Sequence, residues 1–203
     1  ACQRAIVDPL WDNPRLGSLQ VIRGDLMMGN FNSIAAQDGD YLALRPLFTD
    51  GGIDVPAGVP GGTVYYNSTG YITDLYVTGK FSDGLPAGNT FAVDVTTLGT
   101  LPTNTVMQLH LWNYNEDRWW LVTQTILPAG STDANFQILI ANRFLDVTEP
   151  EPSYHARIVT INGADDGFGE FPVFIDQIRI GAASLPGHGG WSADGPPSAG
   201  SGR

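Results

Sequence analysis

The sequence has a single cysteine, Cys2, so no disulfide can form within the chain and the fold must hold by packing alone. A lipid-anchored mature chain begins at the cysteine itself, and here Ala1 precedes it, so Cys2 is read as an incidental or an intermolecular thiol. Charge is also scarce. Charged residues make up 15% of the chain, against roughly 25% in an average soluble domain. Ten Lys and Arg stand against 21 Asp and Glu, a net charge of −11. A nucleic acid needs clustered cations, and these ten are scattered, so nucleic acid is excluded as a partner. No apolar run reaches the ~18 residues of a membrane-spanning helix. No charged segment followed by an apolar one opens the chain. The expectation is an extracellular or cell-surface protein whose signal peptide has been removed, which suits a polar surface built from Thr, Asn, Ser, Gln and Gly.

Helix signals are nearly absent too. Strand signals recur instead, each bounded by Gly, Pro, Asn or Asp. They predict strands over Leu19–Arg23, Asp40–Pro46, Tyr71–Lys80, Thr90–Thr97, Thr105–Asn113, Arg118–Ile126, Asn135–Ala141, Tyr154–Ile161 and Pro172–Ile180. Nine strands at this spacing in 203 residues predict an all-β, two-sheet antiparallel sandwich of the jelly-roll kind. Residues 18–180 form that domain, residues 1–17 an N-terminal extension, and residues 181–203 a Gly/Pro/Ser-rich tail. Thr49–Gly62 reads as a long surface loop and Arg143–Asp146 as a short helical turn.

Side-chain alternation supports the strands. Phe91, Val93 and Val95 share one face, as do Met107, Leu109 and Leu111, and Phe136, Ile138 and Ile140. One buried and one wet face is the antiparallel expectation. Asn113–Asp117 carries turn chemistry between two apolar runs and predicts a hairpin over Thr105–Ile126.

Few polar residues suggest a site. Asp176 falls on the apolar stripe of Phe174, Ile178 and Ile180, and a buried carboxylate needs a cation or several donors. Arg157, backbone N–H groups or calcium are the alternatives. Asp38 and Asp40 could add hard oxygens to a calcium site with Asp176, although neither lies in a twelve-residue EF-hand loop. Trp119 and Trp120 are adjacent and cannot both face the core, and Trp112 lies opposite its strand's aliphatic face. Burying an indole removes ~200 Å² from water, a gross gain of roughly 5 kcal/mol at ~25 cal/mol/Å². An outward Trp therefore calls for a cover: a sugar ring, another subunit, or a terminal segment of the same chain. Trp11 and Trp191, in the two terminal segments, complete this candidate interface or ligand platform. Catalytic patterns fail. None of His110, His155 and His188 has metal-ligand spacing, no GxSxG elbow occurs, and the glutamates fall in loops.

Three segments share a resemblance. Gly24–Pro46 with its Asp38-Gly-Asp-Tyr-Leu-Ala-Leu-Arg-Pro46 run, the hairpin from Gln108 to Trp119, and Ala156-Arg-Ile158 followed by Val173–Ile178 resemble secreted β-sandwich modules abundant in planctomycetes and related bacteria. The resemblance spans Val21–Ile180 and implies a non-catalytic extracellular module of a surface or exported protein. Two functional expectations follow. The first is a structural subunit that packs through its termini and exposed aromatics onto copies of itself or other surface subunits, in a layer, filament or larger complex. The second is a carbohydrate-binding module with a structural calcium, its glycan stacked on Trp112 or Trp119.

Overall fold

A computed structural model describes residues 14–30, 33, 40–66, 68–81, 90–98, 104–127, 133–148, 150–162 and 171–182. Within them the chain forms strands and one 3-10 turn, Asn142–Phe144. The strands are β1 (Pro14–Arg23), β2 (Asp25–Met28), β3 (Leu42–Arg45), β4 (Leu47–Thr49), β5 (Gly52–Asp54), β6 (Thr63–Tyr65) and β7 (Gly70–Phe81). They continue with β8 (Thr90–Leu98), β9 (Thr105–Asn113), β10 (Arg118–Leu127), β11 (Asp133–Ala141), β12 (Ser153–Asn162) and β13 (Val173–Ala182). Every long strand expected from alternation is present, and β1 begins at Pro14, inside the segment assigned to the extension. The short strands β2, β4, β5 and β6 are additions. Two of them, β5 and β6, form a two-stranded hairpin around part of the expected surface loop.

All pairings are antiparallel and, besides the β5–β6 hairpin, build two sheets. One runs β1-β7-β12-β9-β10, with β4 continuing the β1 side of β7; the other runs β11-β8-β13-β3-β2. Their facing surfaces enclose the main core. Leu75 and Val77, Ala156 and Ile158, and Met107, Leu109 and Leu111 come from the larger sheet; Leu42, Leu44, Ile175 and Ile178 come from the other. Phe144 of the 3-10 turn and Leu145 just after it add to this core. Tyr154 is fully buried and lies across its register partner Gly79, where an added Cβ would fall 2.2 Å from the tyrosine hydroxyl. Glycine there is required by close approach rather than by backbone angle.

The larger sheet departs from the expected wet outer face. In β7, β12 and β9 residues of both alternations are buried. On the outer side Ile72, Val159 and Ile161 form a second apolar cluster, against which Tyr66 and Val106 pack. The segment 52–66 contributes to this cover, so local chain rather than solvent meets these strands.

Four strands carry a bulge. The extra residues are Gly17 and Ile22 in β1, Met27 in β2, Val122 in β10 and Asp176 in β13. The last corrects the phase expected for this strand. Alternation breaks between Ile175 and Gln177, so Ile175 and Ile178 are the residues in the core, and Asp176 sits at the break.

Leu109 is central and fully buried, so Leu109→Ala should cost about 2–5 kcal/mol by urea unfolding. Leu121→Ala, on the outer edge and 39% exposed, should stay within about 1 kcal/mol.

Candidate functional site

Period-two alternation and the strand register bring the candidate site onto the outer face of the larger sheet. One register row crosses five strands: Gln20 in β1, Tyr76 in β7, Arg157 in β12, His110 in β9 and Leu121 in β10. Asp74 precedes Tyr76 on the same face of β7, His155 precedes Arg157 on β12, and Trp112 and Trp119 are register partners beyond His110.

At the centre Arg157 and Asp74 form an ion pair with 2% and 0% side-chain exposure. The guanidinium Nε donates to both carboxylate oxygens at 3.1 Å, and Nη2 also donates to Oδ2. The Tyr66 hydroxyl donates to Asp74 Oδ2 at 2.8 Å. Burial, and next the adjacent carboxylate, raise the Tyr66 phenol well above its ordinary range, so it stays a donor. The guanidinium also lies 5.1 Å from the centre of the Trp119 ring and 5.9 Å from that of Tyr66. Two charges out of water are tolerated because each faces the other through several hydrogen bonds, with a tyrosine hydroxyl and aromatic rings beside them. Of the three partners considered for Asp176, Arg157 is removed: it pairs with Asp74, and Asp176 belongs to the opposite sheet.

His110 is the register neighbour of Arg157. Burial first, then the guanidinium, push it down to about 3, so the ring is neutral. Its Nε2 lies 2.9 Å from Gln108 Oε1, and Gln108 Nε2 donates to Gln124 Oε1 at 3.2 Å. A neutral ring bonded in this way donates from Nε2. His155 is also lowered by burial, with Asp146 opposing, and its Nδ1 is 2.6 Å from the Tyr76 hydroxyl. Burial pushes Tyr76 up to about 12.

The tryptophans divide as adjacency requires. Trp120 packs against the inter-sheet core and meets Phe144 at 6.3 Å, with Arg143 4.6 Å over its ring. Trp112 is 8% exposed and meets Trp119 edge-on at 5.5 Å. Trp119 is half-buried and donates from Nε1 to the Pro60 carbonyl at 2.9 Å. Among the described residues their cover is an internal turn, Pro56–Gly62. Buried Val59 anchors the turn, and Gly61 makes it possible. Gly61 has φ +103°, and a Cβ there would come within 3.2 Å of both indoles.

A cavity of about 300 Å³ remains between this turn, the β5–β6 hairpin and the β9–β10 hairpin. Trp119, Trp112, His110, Arg157, Asp117 and Tyr65 line it. The β9–β10 loop is shaped by Asn113, whose Oδ1 accepts from the Asn115 N–H at 2.9 Å, and by Asp117, which takes φ 50°. Tyr65 is 75% exposed and lies over Gly52, where a Cβ would sit 2.7 Å from its ring. A second cavity of about 500 Å³ opens on the same face around Tyr76, Thr78 and His155.

The sequence reading included Trp112, Trp119 and Trp120 but not Asp74, Tyr76, Tyr66 or Tyr65. A charge alone in the middle of each of two apolar strands, Asp74 and Arg157, was the available signal. Tyr65 had none, since three-residue strands carry no period. Asp40 is exposed, and the described residues hold no group of three or more His, Cys, Asp or Glu able to hold a metal. Asp38, Trp11 and Trp191 lie outside the described residues. No described helix is long and apolar enough to cross a membrane.

No family model matches the sequence, and no curated protein matches it. Among solved structures, the mannan-recognising carbohydrate-binding module TmCBM27 is similar over 83% of this chain and 88% of its own, at 13% identity and a TM-score of 0.40. A family 35 carbohydrate-binding module from Clostridium thermocellum is similar over 82% and 100%, at 12% identity and 0.33. The enzymatically active domain of bacteriophage CBA120 tailspike protein 4 is similar over 85% of this chain, which spans only 20% of that domain, at 13% identity and 0.33. Likenesses of this order assign no role to any residue.

Two outcomes test the site. Asp74→Leu alone should cost about 3–5 kcal/mol in urea, and pairing it with Arg157→Met should recover most of that, because only the single variant strands a buried charge. His110 returns to about 6.5 on unfolding, so below that pH the unfolded chain takes up a proton the folded chain refuses. The stability due to neutral His110 is thus full above about 6.5 and is lost as the pH falls toward about 3. His110→Gln should narrow the gap between urea midpoints measured at about pH 7 and about pH 4.5.

Proposed function

We propose that this protein is a non-catalytic glycan-binding module whose saccharide site is the cavity beside Trp119. The carrying observation is one half-buried indole held in place by the Pro60 carbonyl and opening, with exposed Tyr65, on a small cavity of mixed polar and apolar lining. A pyranose has one apolar C–H face and a rim of hydroxyls. An aromatic wall beside polar groups such as His110 and Asp117 complements that shape and chemistry. The volume lies at the low end of the ~300–1,000 Å³ of small-molecule sites, the size of a single ring rather than a large ligand.

The same side chains are poorly suited to hydrolysis. Asp74 is held in the ion pair, and His110 is neutral far below neutral pH. A general acid–base pair needs titration near the working pH and a proton within reach. Binding without turnover is what these groups support.

The test is a glycan array followed by calorimetry on the best ligand. Wild type should bind, and Trp119→Ala should bind at least about tenfold more weakly, a loss of ~1.4 kcal/mol. An array without a hit, or a Trp119→Ala variant with undiminished affinity, rejects the glycan site.

A further inference from the structure

The second cavity, about 500 Å³, lies next to the first on the same sheet face. Tyr76 lines it, and the Tyr76 ring meets Trp119 of the first cavity edge-on at 6.3 Å. His155 lines it two residues from Arg157 on β12, and Gly58 lines it three residues from Gly61 of the first. The Pro56–Gly62 turn therefore divides one continuous face. Gly58, Gly61 and Gly62 give the turn a surface of exposed backbone there, without side chains to obstruct a crossing ligand.

The second cavity repeats the character of the first. Tyr76 and His155 stack with centroids 5.8 Å apart and planes 13° apart, which supplies a flat aromatic wall. Ser18 and Thr78 hydroxyls are hydrogen-bonded to each other at 2.8 Å, and each retains capacity for a further bond. Gln20 adds a buried side-chain oxygen that has no donor.

Charge selects the ligand further. Arg157 is paired with Asp74, Arg118 with Glu116, and Lys80 shares the second cavity with Glu151. Neither cavity presents an excess of cations, and the chain's net charge of −11 opposes a polyanion. We propose that the two cavities are successive subsites for one uncharged linear oligosaccharide, which crosses the glycine-bearing turn between them. This rests on the glycan reading given above.

Calorimetry with neutral oligosaccharides of one to six residues, built from glucose, mannose or xylose, tests it on wild type, Thr78→Trp and Trp119→Ala. Wild-type affinity for one of these series should rise at least about tenfold between the single sugar and the longer chain. Thr78→Trp, which fills the second cavity, should keep the single-sugar affinity and lose the gain with length. Trp119→Ala should lose both. Should Thr78→Trp fail to fold, backbone amide shifts of the unmodified protein replace it: residues 78–80 and 153–155 should move with long chains and not with the single sugar. Length-independent affinity, unmoved amides, or tighter binding of uronic-acid chains than of neutral ones overturns the two-subsite proposal alone. Absence of binding to every saccharide overturns the glycan reading as well.

Discussion

The Arg157–Asp74 pair governs how the outer face of the larger sheet is built. Taking two charges out of water costs several kcal/mol for each ion, and the cost is met only when geometry and partners are complete. Here the carboxylate takes a two-point guanidinium contact and a tyrosine hydroxyl, while the guanidinium rests between two aromatic rings. Tyr66 comes from the chain just beyond the β5–β6 hairpin, and Trp119 is held by the turn inside that hairpin. The charges thus require the hairpin to fold down onto the sheet, and the folded hairpin keeps water from the charges. Burial, and next the same cation, keep His110 neutral, so the row beside it offers directional hydrogen bonds without net charge.

This cover is incomplete by construction. Gly61 lets the turn approach two indoles, yet its missing side chain and those of Gly58 and Gly62 leave open volume on either side. Tyr76 and Trp119 meet edge-on beneath the turn, each forming a wall of a different cavity. Aromatic surface that a solvent-facing sheet would waste is partly covered and partly presented. Rigid strands set its position, because each side chain is fixed by backbone register rather than by a loop.

Much of this was legible from alternation. Met107, Leu109 and Leu111 against His110 and Trp112 marked which way β9 faces, and adjacent Trp119 and Trp120 split between faces as period two demands. Strands with long periodic runs were recovered with their boundaries displaced by a few residues. What escaped was non-local. Nothing near residue 157 in the chain indicates that residue 74 lies one strand away, and nothing near Val64 indicates that it folds over β9. A bulge also defeats phase counting: one extra residue at Asp176 puts Ile175 in the core with Ile178, where Phe174 had been expected beside Ile178. For Tyr65 and the other residues of three-residue strands, the pattern was too short to have a period.

The bulges also shape the borders of the two sheets. In β1, β2 and β10 the surplus residue lies on the outermost strand and not on its inner neighbour, so these borders twist and present a broken ladder of N–H and C=O groups. Strand β11, at the remaining border, pairs with β8 through nine residues without interruption. An unbroken row of backbone donors and acceptors is the template that an incoming extended segment requires. Among the described strands three borders are blunted by their own geometry, and β11 is the one border strand whose ladder to its neighbour runs without a bulge.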